Sequence, residues 1–573
     1  METHFAMEHG RIAPRARLSH VFGANDDPLS WSTIAKLLKD TASKWPGRTA
    51  VVFRSQQIRS TWRELAEQVD ILASGLLELG IQRGDRVALW SPNRYECLLT
   101  QFATARIGAI LVSLNPAYVA GELEYALNKA GCKALILPPQ FRSTKILTDI
   151  APELADATPG ALNSARLADL RIVIHMGNDT VPGMILFRDV MKLGGTRLDT
   201  RELESGEAEL NADDAINIQF TSGTTGRPRG ATLSHFNIVN NARYAASCMR
   251  LTHNDSLCVT MPLYHCIGMV LSSLACVSVG ASMVFPAEAF DPETTLAAIS
   301  EERCTALHGV PTMFIAELEH PNFSRYDLRT LRTGLMAGSP CPIEVMRRVI
   351  DQMNLAQITI AYGMTETSPV SFQSETGDPI EKRTTTVGRI HPHIEVKIVD
   401  EHGNTVPVGV AGELCTRGYS VMKGYWGDKD ATALAIRDGW MHSGDLAVLD
   451  EHGYCNIVGR LKDMLIRGGE NIFPREIEEI LFTHSKVMSV QVFGIPDQKY
   501  GEQVCAWIIP RPRVHITQEE IIEFCQGRMA SYKVPRVVRF VQDMPMTASG
   551  KPQKYLMRKQ MMEELDVADV RTA

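Results

Sequence analysis

Short apolar, β-branched runs alternate with amphipathic stretches over the first 370 residues. Residues 86–90, 110–114, 134–137, 171–174, 217–220, 257–260 and 358–360 read as strands, and 61–79 repeats its apolar positions with helical spacing. Unbroken apolar runs suit strands buried on both faces, and strand–helix alternation predicts α/β layers with mostly parallel sheets. Near position 395 the pattern changes. Residues 395–399, 412–415 and 447–450 are short, closely spaced strands, and the turn Asp450-Glu451-His452-Gly453 leads into another at 454–458. That spacing predicts an antiparallel β subdomain. After Gly459-Arg460 the chain reads as a small α+β unit, with a helix from Pro474 through Leu481, strands at 487–493 and 504–509, and a helix over 517–525. Proline in the first turn suits that helix start. The predicted architecture is a large N-terminal α/β domain of layered subdomains with a small β subdomain, followed by a small α+β C-terminal domain. The boundary is placed at Lys462, giving 1–461 and 462–573.

Length and charge narrow the class. At 573 residues the chain suggests roughly four domain-sized units and needs no disulfide or metal staple. Hydrophobic residues make up 45% and charged residues 22%, which excludes a disordered or fibrous chain. The net charge of −7 excludes a generally basic nucleic-acid binder, so any anionic ligand must be held by local positive sites.

None of the twelve cysteines is closer than eight positions to another, so no C-x-x-C metal or redox pair exists, and the thiols read as small buried hydrophobes of a reducing compartment. The N-terminus lacks an apolar core of signal-peptide length, and its mix of arginines with Glu2, Glu8 and three histidines reads as a polar tail more than a mitochondrial transit peptide. Cytoplasmic placement is expected over the mitochondrial matrix. Residues 266–286 carry no charge over about a bilayer span. Four serines and Gly280 interrupt the run, so it predicts a buried helix followed by a buried strand.

Candidate chemistry begins at Phe220-Thr221-Ser222-Gly223-Thr224-Thr225-Gly226-Arg227-Pro228-Arg229-Gly230, directly after a predicted strand. Its glycines let a ligand approach the backbone, and its hydroxyls and turned N–H groups suit phosphate oxygens. It is not a Walker A loop, because no Gly-Lys-Ser/Thr follows at the required spacing. Read alone, it could equally be a flexible polar loop. As a whole string it resembles the phosphate loop of the adenylate-forming superfamily, which includes acyl-CoA synthetases, aryl-CoA ligases, luciferases and peptide-synthetase adenylation domains. The likeness recurs in order. Pro262-Leu263-Tyr264-His265 resembles the motif beside the acyl pocket, Gly338-Ser339-Pro340 the adenine-side turn, and Tyr362-Gly363-Met364-Thr365-Glu366-Thr367 the Tyr-Gly-x-Thr-Glu motif. Asp438 to Asp445 resembles the ribose motif, Gly459 to Asp463 the hinge, and Pro545 to Lys551 the catalytic-lysine motif. The run Gly230 to His235 and the Pro-Leu-Tyr-His stretch look most like medium-chain fatty acyl-CoA synthetases.

The resemblance implies an ATP-dependent ligase that joins a short- to medium-chain carboxylic acid to coenzyme A through an acyl-adenylate, with ATP, Mg²⁺ and coenzyme A as its small molecules. It implies catalytic positions at Lys551, Thr221, Glu366 and His265, with His265 shaping the carboxylate site and given no acid–base work. Nucleotide and thiol contacts fall on Thr221, Ser222, Gly223, Thr224, Thr225, Gly226, Gly338, Ser339, Pro340, Tyr362, Gly363, Met364, Thr365, Glu366, Asp445, Arg460, Lys462, Gly468, Gly469 and Lys551. Glu366 and Thr221 would hold the metal, Tyr362 would stack on adenine, and Asp445 with Arg460 would take the ribose. Lys462 would be the hinge, and rotation about it would exchange Lys551 for a pantetheine tunnel at Gly468-Gly469. An acyl pocket is expected from His265, Met269, Val310, Gly334 and Met364.

Arg229 stands where the family usually has lysine, which keeps the charge and changes its shape. Lys192 to Arg197 faintly resembles a carrier-protein site, but Arg197 replaces the modified serine, so no carrier domain is expected. A branched- or aryl-acid ligase, an amino-acid-activating enzyme and a luciferase-like oxygenase remain open alternatives, and a non-enzymatic binder is the least favoured. No nucleic-acid partner or membrane span is expected, and a homodimer is left open.

Overall fold

A computed structural model describes residues 13–14, 17–221, 228–468, 470–547 and 550–565. Two large, mostly parallel sheets carry the N-terminal part. The eight-stranded sheet runs Gly424–Tyr425, Arg229–Ser234, Ala215–Thr221, Ile110–Leu114, Arg86–Trp90, Ala134–Leu137, Ile172–His175 and Ile185–Leu186. Its last six strands are parallel, and only Arg229–Ser234 and Gly424–Tyr425 pair antiparallel. The nine-stranded sheet centres on the parallel strands Gln357–Gly363, Thr333–Ala337, Ala306–Gly309, Ser256–Val259, Ser282–Phe285 and Thr49–Phe53. Helices Ile34–Lys44, Trp62–Glu78, Tyr95–Arg106 and His235–Cys248 share one core with both sheets. Trp62, Leu65, Leu72 and Leu76 of the second helix are fully buried, as its apolar spacing predicts, and Thr61 with Glu64 closes its start in a capping box.

Most predicted strands of the parallel sheets fall within a residue or two of the observed ones, whereas Gln357–Gly363, Gly412–Gly418, Trp440–Leu449, Val487–Asp497 and Gly501–Pro510 extend three or more residues beyond their predicted bounds. Among the strands missed are the apolar Thr49–Phe53 and Thr333–Ala337, Ala306–Gly309 and Val370–Gln373; in the last three, glycines, a histidine and polar residues dilute the β signal. The uncharged run at 266–286 resolves into a π-helix, Ile267–Leu274, a short α-helix, Ala275–Val279, and the buried strand Ser282–Phe285. Among the described residues no helix is long and apolar enough to cross a membrane. All twelve cysteines are free and buried. The carrier-like stretch closes the helix Phe187–Arg197, where Gly194 lies so near the Ile71 carbonyl that a Cβ would come within 2.0 Å. Its glycine serves helix packing.

The β subdomain is a six-stranded antiparallel sheet of His20–Phe22, Ile394–Val399, Gly412–Gly418, Trp440–Leu449 and Ile436–Arg437, with Cys455–Arg460 on Trp440–Leu449. Across the short turn Leu461–Asp463 the chain leaves this sheet and enters a five-stranded one built on the long hairpin Val487–Asp497 and Gly501–Pro510. Helices Pro474–Phe482 and Gln518–Cys525 form where expected and pack in a separate small core. This unit touches the N-terminal part through Phe482 and Met488, which pack against its core, and through polar contacts. Thr312 Oγ1 donates to the Gly550 carbonyl at 3.1 Å, Ile343 N to Glu479 at 3.3 Å, and Arg475 to the Ile457 carbonyl at 2.6 Å.

Candidate active site

The strands Ala215–Thr221 and Arg229–Ser234 pair antiparallel with Thr221 opposite Arg229, so the phosphate-type loop joins two fixed strand ends. Ser222, Gly223, Thr224, Thr225 and Gly226 themselves lie outside the described residues. Thr221 Oγ1 donates to Glu366 Oε1 at 3.2 Å. Tyr425, on the edge strand Gly424–Tyr425, donates its hydroxyl to the same oxygen at 2.9 Å. Glu366 is buried, and among the described residues no hydrogen bond is made to its Oε2. A carboxylate oxygen beside a threonine hydroxyl and a phosphate-type loop is the hard-oxygen set that Mg²⁺ prefers, so these residues fit that ion. The Arg229 guanidinium lies 5.5 Å over the Tyr425 ring, its planar group stacked where a lysine would present a point charge. Burial and then Glu366 push the Tyr425 phenol above its usual range, so it stays a donor.

A second cluster lies at the end of Gln357–Gly363. Tyr362 donates its hydroxyl to Asp445 Oδ2 at 2.7 Å, and Arg460 Nε lies 3.1 Å from Asp445 Oδ1. Asp445 and Arg460 are register partners on adjacent strands. Gly363 lies against the Pro369 carbonyl, where a Cβ would come within 1.8 Å, so the turn after Tyr362 needs glycine. Thr365, in the short turn Thr365–Thr367, brings its hydroxyl to 3.5 Å from the Cys266 sulfur, tying this motif to the Pro-Leu-Tyr-His stretch.

Lys551 lies within electrostatic reach of both clusters. Its backbone N–H donates to Thr547 Oγ1 at 3.0 Å and its carbonyl accepts from Thr547 N at 2.8 Å, forming a tight turn. A Cβ built on Gly338 would meet Val310 Cγ1 at 3.1 Å, Ile267 Cδ1 at 3.3 Å and Lys551 Cε at 3.4 Å. The lysine arm therefore lies along the Gly338-Ser339-Pro340 turn, near two aliphatic residues. Burial lowers its ammonium below the usual 10.5; Arg460 adds to the lowering, and Cys266, Glu366 and Asp445 oppose it. Among the described residues no ion pair is made to this buried ammonium, and such a group is poised for an anion.

His265 stands next to this cluster. Burial, then the charge of Lys551, lowers its imidazole to about 3. Its Nδ1 accepts the Ile267 N–H at 3.2 Å, so the neutral ring carries its proton on Nε2. Of the expected acyl-pocket positions, Met269 lies buried in the π-helix and Val310 contacts the Gly338 and Gly550 positions, while Met364 is half-buried. Gly334 is a sheet residue whose Cβ would come within 2.0 Å of the Leu307 carbonyl, which explains its glycine by strand packing. Ser339 and Pro340 follow Gly338 in the same turn, and the Ser339 carbonyl lies 3.5 Å from the Cys341 sulfur. Lys462 is exposed in the turn Leu461–Asp463. Gly468, at φ +62°, donates its N–H to the Tyr500 carbonyl at 2.8 Å, within the small sheet. Gly469 lies outside the described residues. Sequence reasoning missed Tyr425 and Thr312. Only the position of Tyr425 opposite Ala231 in the sheet reveals its part.

The order of elements, the clustered motifs and the comparisons agree. The model of the AMP-binding enzyme family matches residues 38–426, and that of the AMP-binding enzyme C-terminal domain matches 476–551. The chain belongs to the AMP-binding enzyme family. More narrowly, it groups with the acyl-CoA synthetases. It is 51% identical over 546 residues to a putative acyl-CoA synthetase, YngI, of Bacillus subtilis, covering 94% of this chain and 99% of that one. It is 45% identical over 570 residues to the mitochondrial medium-chain acyl-CoA ligase ACSF2 of Bos taurus, covering 98% and 92%. ATP-bound MatB from Rhodopseudomonas palustris superposes with a TM-score of 0.76 at 28% identity, covering 92% and 99%. An anthranilate CoA ligase, AuaEII, in complex with anthranoyl-AMP shares the fold at a TM-score of 0.83 and 24% identity, covering 95% and 99%.

Proposed function

We propose that the chain ligates a short- to medium-chain aliphatic carboxylic acid to coenzyme A in two steps on one site. In the first, a carboxylate oxygen attacks the α-phosphorus of ATP, the bond to the bridging oxygen breaks, and pyrophosphate leaves with the electron pair. In the second, the coenzyme A sulfur attacks the acyl carbon of the mixed anhydride, AMP leaves, and the thiol proton passes to solvent or phosphate. The observation that carries this reading is the buried Lys551 arm against Gly338, its ammonium within electrostatic reach of Glu366 in one cluster and of Asp445 and Arg460 in the other.

The first step brings two anions together, so its barrier is largely electrostatic. In the proposed pose Lys551 donates to the attacking carboxylate and the α-phosphate, Asp445 accepts from the ribose hydroxyls, and Tyr362 orients Asp445. Glu366 with Thr221 would hold Mg²⁺, which neutralises triphosphate charge when bound. His265, neutral with its proton on Nε2, offers one hydrogen bond to the substrate carboxylate and moves no proton. Aliphatic Ile267, Val310 and Met269 suit an alkyl tail. We further propose that residues 462–573 rotate about Lys462 between the steps, withdrawing Lys551 and presenting Gly468-Gly469 to the pantetheine arm, and that the enzyme works in the cytoplasm.

AMP release measured across a panel of straight, branched, aryl and amino acids tests the substrate class. The proposal predicts the highest kcat/KM for straight aliphatic acids, each added buried methylene contributing about 0.8 kcal/mol until the pocket is filled. Preference for an aryl or amino acid would replace it with the corresponding alternative.

A further inference from the structure

The Asp438–Asp445 motif is held by a carboxylate outside every assigned motif. In the pairing of Gly412–Gly418 with Trp440–Leu449, Glu413 faces Leu446 and Cys415 faces His442. Three residues, Ser443, Gly444 and Asp445, therefore stand opposite Leu414 alone. The ribose segment is a bulge, and Gly444 within it adopts φ +69°. A bulge leaves N–H groups without ladder partners, and here side chains supply them. Glu413 Oε1 accepts the Gly444 N–H at 3.1 Å, and Glu413 Oε2 accepts from His442 Nδ1 at 2.8 Å. Ser443 Oγ donates to the Leu414 carbonyl at 2.7 Å and accepts the Asp445 N–H at 3.1 Å. One carboxylate thus clamps both sides of Ser443, two residues before Asp445.

Glu413, Cys415 and His442 also place ligand atoms within 4.8 Å of one another, as a metal site would. The contacts argue otherwise. Both Glu413 oxygens are engaged, and Arg437 brings a positive charge to 3.7 Å from Oε2. Burial, then Glu413, pushes the Cys415 thiol up to about 12, so it keeps its proton.

We infer that Glu413 is a positioning residue for nucleotide selection: through Gly444 and His442 it fixes the bulge that aims the Asp445 carboxylate at the ribose hydroxyls. The inference rests on the reading of Asp445 as the ribose acceptor. Asp445 is only 8% exposed and its two oxygens already meet Tyr362 and Arg460, so a small rotation of the bulge moves it off line. A loosened bulge costs affinity for nucleotides bearing hydroxyls and nothing for those lacking them.

The readout is the ratio of kcat/KM for ATP to that for 2′,3′-dideoxy-ATP in pyrophosphate exchange. A hydrogen bond to a charged group is worth about tenfold or more, which sets the expected scale of that ratio. Glu413→Ala and the shortened Glu413→Asp are expected to lower it about tenfold and severalfold, with dideoxy-ATP turnover little changed. Glu413→Gln keeps a carbonyl acceptor for Gly444 and, with the other His442 tautomer, both contacts, so it retains most of the ratio. Asp445→Asn loses the ratio, and adding Glu413→Ala to it removes nothing further. If Glu413→Ala and Glu413→Asp reduce both nucleotides equally, the residue is merely structural and the inference is overturned. If Asp445→Asn loses the ratio while both Glu413 variants keep it, the inference alone falls. If Asp445→Asn keeps the ratio, the ribose reading falls and takes the inference with it.

Discussion

Gly338→Ala is a small change with a sharp expected consequence. Gly338 sits at φ +91°, where an L-residue costs on the order of 1–2 kcal/mol. The added methyl would meet Val310 at 3.1 Å, Ile267 at 3.3 Å and the Lys551 arm at 3.4 Å. The Val310 and Ile267 contacts are tight by a few tenths of an ångström and both residues belong to the packed core, so the strain is relieved by a small shift toward the flexible Lys551 arm, whose Cε starts at ordinary contact distance. A displacement of about 1 Å at a reacting group costs on the order of 100-fold, and a shift of a fraction of that costs correspondingly less. Adenylate formation, followed as acid-dependent pyrophosphate exchange, should therefore fall by up to about tenfold. Thioester formation from supplied acyl-adenylate, in which the proposed mechanism gives Lys551 no part, should stay within about threefold, and the strain should lower Tm by only about 1–2 °C. An equal loss in both half-reactions would refute the reasoning, since residue 338 would then act through the nucleotide turn and not through the lysine.

Three further outcomes follow from the same contacts. Tyr425→Phe removes one of two donors to Glu366 Oε1, so adenylation should drop about tenfold with a raised Mg²⁺ requirement; an unchanged Mg²⁺ dependence contradicts the assignment. Rising pH should switch off adenylation at a value below 10.5, because burial lowers the Lys551 ammonium, and thioester formation from supplied adenylate should not share that limb. Acid should destabilise the fold through His235 and His308, which burial lowers to about 4 and about 3. Both are neutral when folded, so their contribution is complete above 6.5 and lost as pH falls from there toward 4, by about 1.4 kcal/mol per pH unit for each. A flat urea-unfolding midpoint between pH 6.5 and 5 would contradict this.

Parallel strands such as Ala134–Leu137 were legible because a strand buried on both faces reads as a short unbroken apolar run. Thr333–Ala337 was not, because its glycine answers to the neighbouring Leu307 carbonyl, a contact no local window contains. In the site, residues that sit in ordered motifs could be named from the chain: Glu366, Tyr362, Asp445 and Lys551. Their partners could not. Tyr425 reaches Glu366 through an edge-strand pairing, and Glu413 reaches the ribose segment through a bulge, so both depend on cross-strand register. Most of the polar tail, residues 1–12 and 15–16, and the core of the phosphate-type loop fall outside the described residues, whereas Leu18 and His20, read as part of that tail, pair with the β subdomain.

The central claim is that one lysine serves one of two half-reactions. Lys551→Ala, assayed separately for acid-dependent pyrophosphate exchange and for thioester formation from supplied acyl-adenylate, addresses it directly. The account predicts that exchange is lost by a factor of about 100 or more while thioester formation persists. Equal loss of both, or retention of exchange, would contradict it.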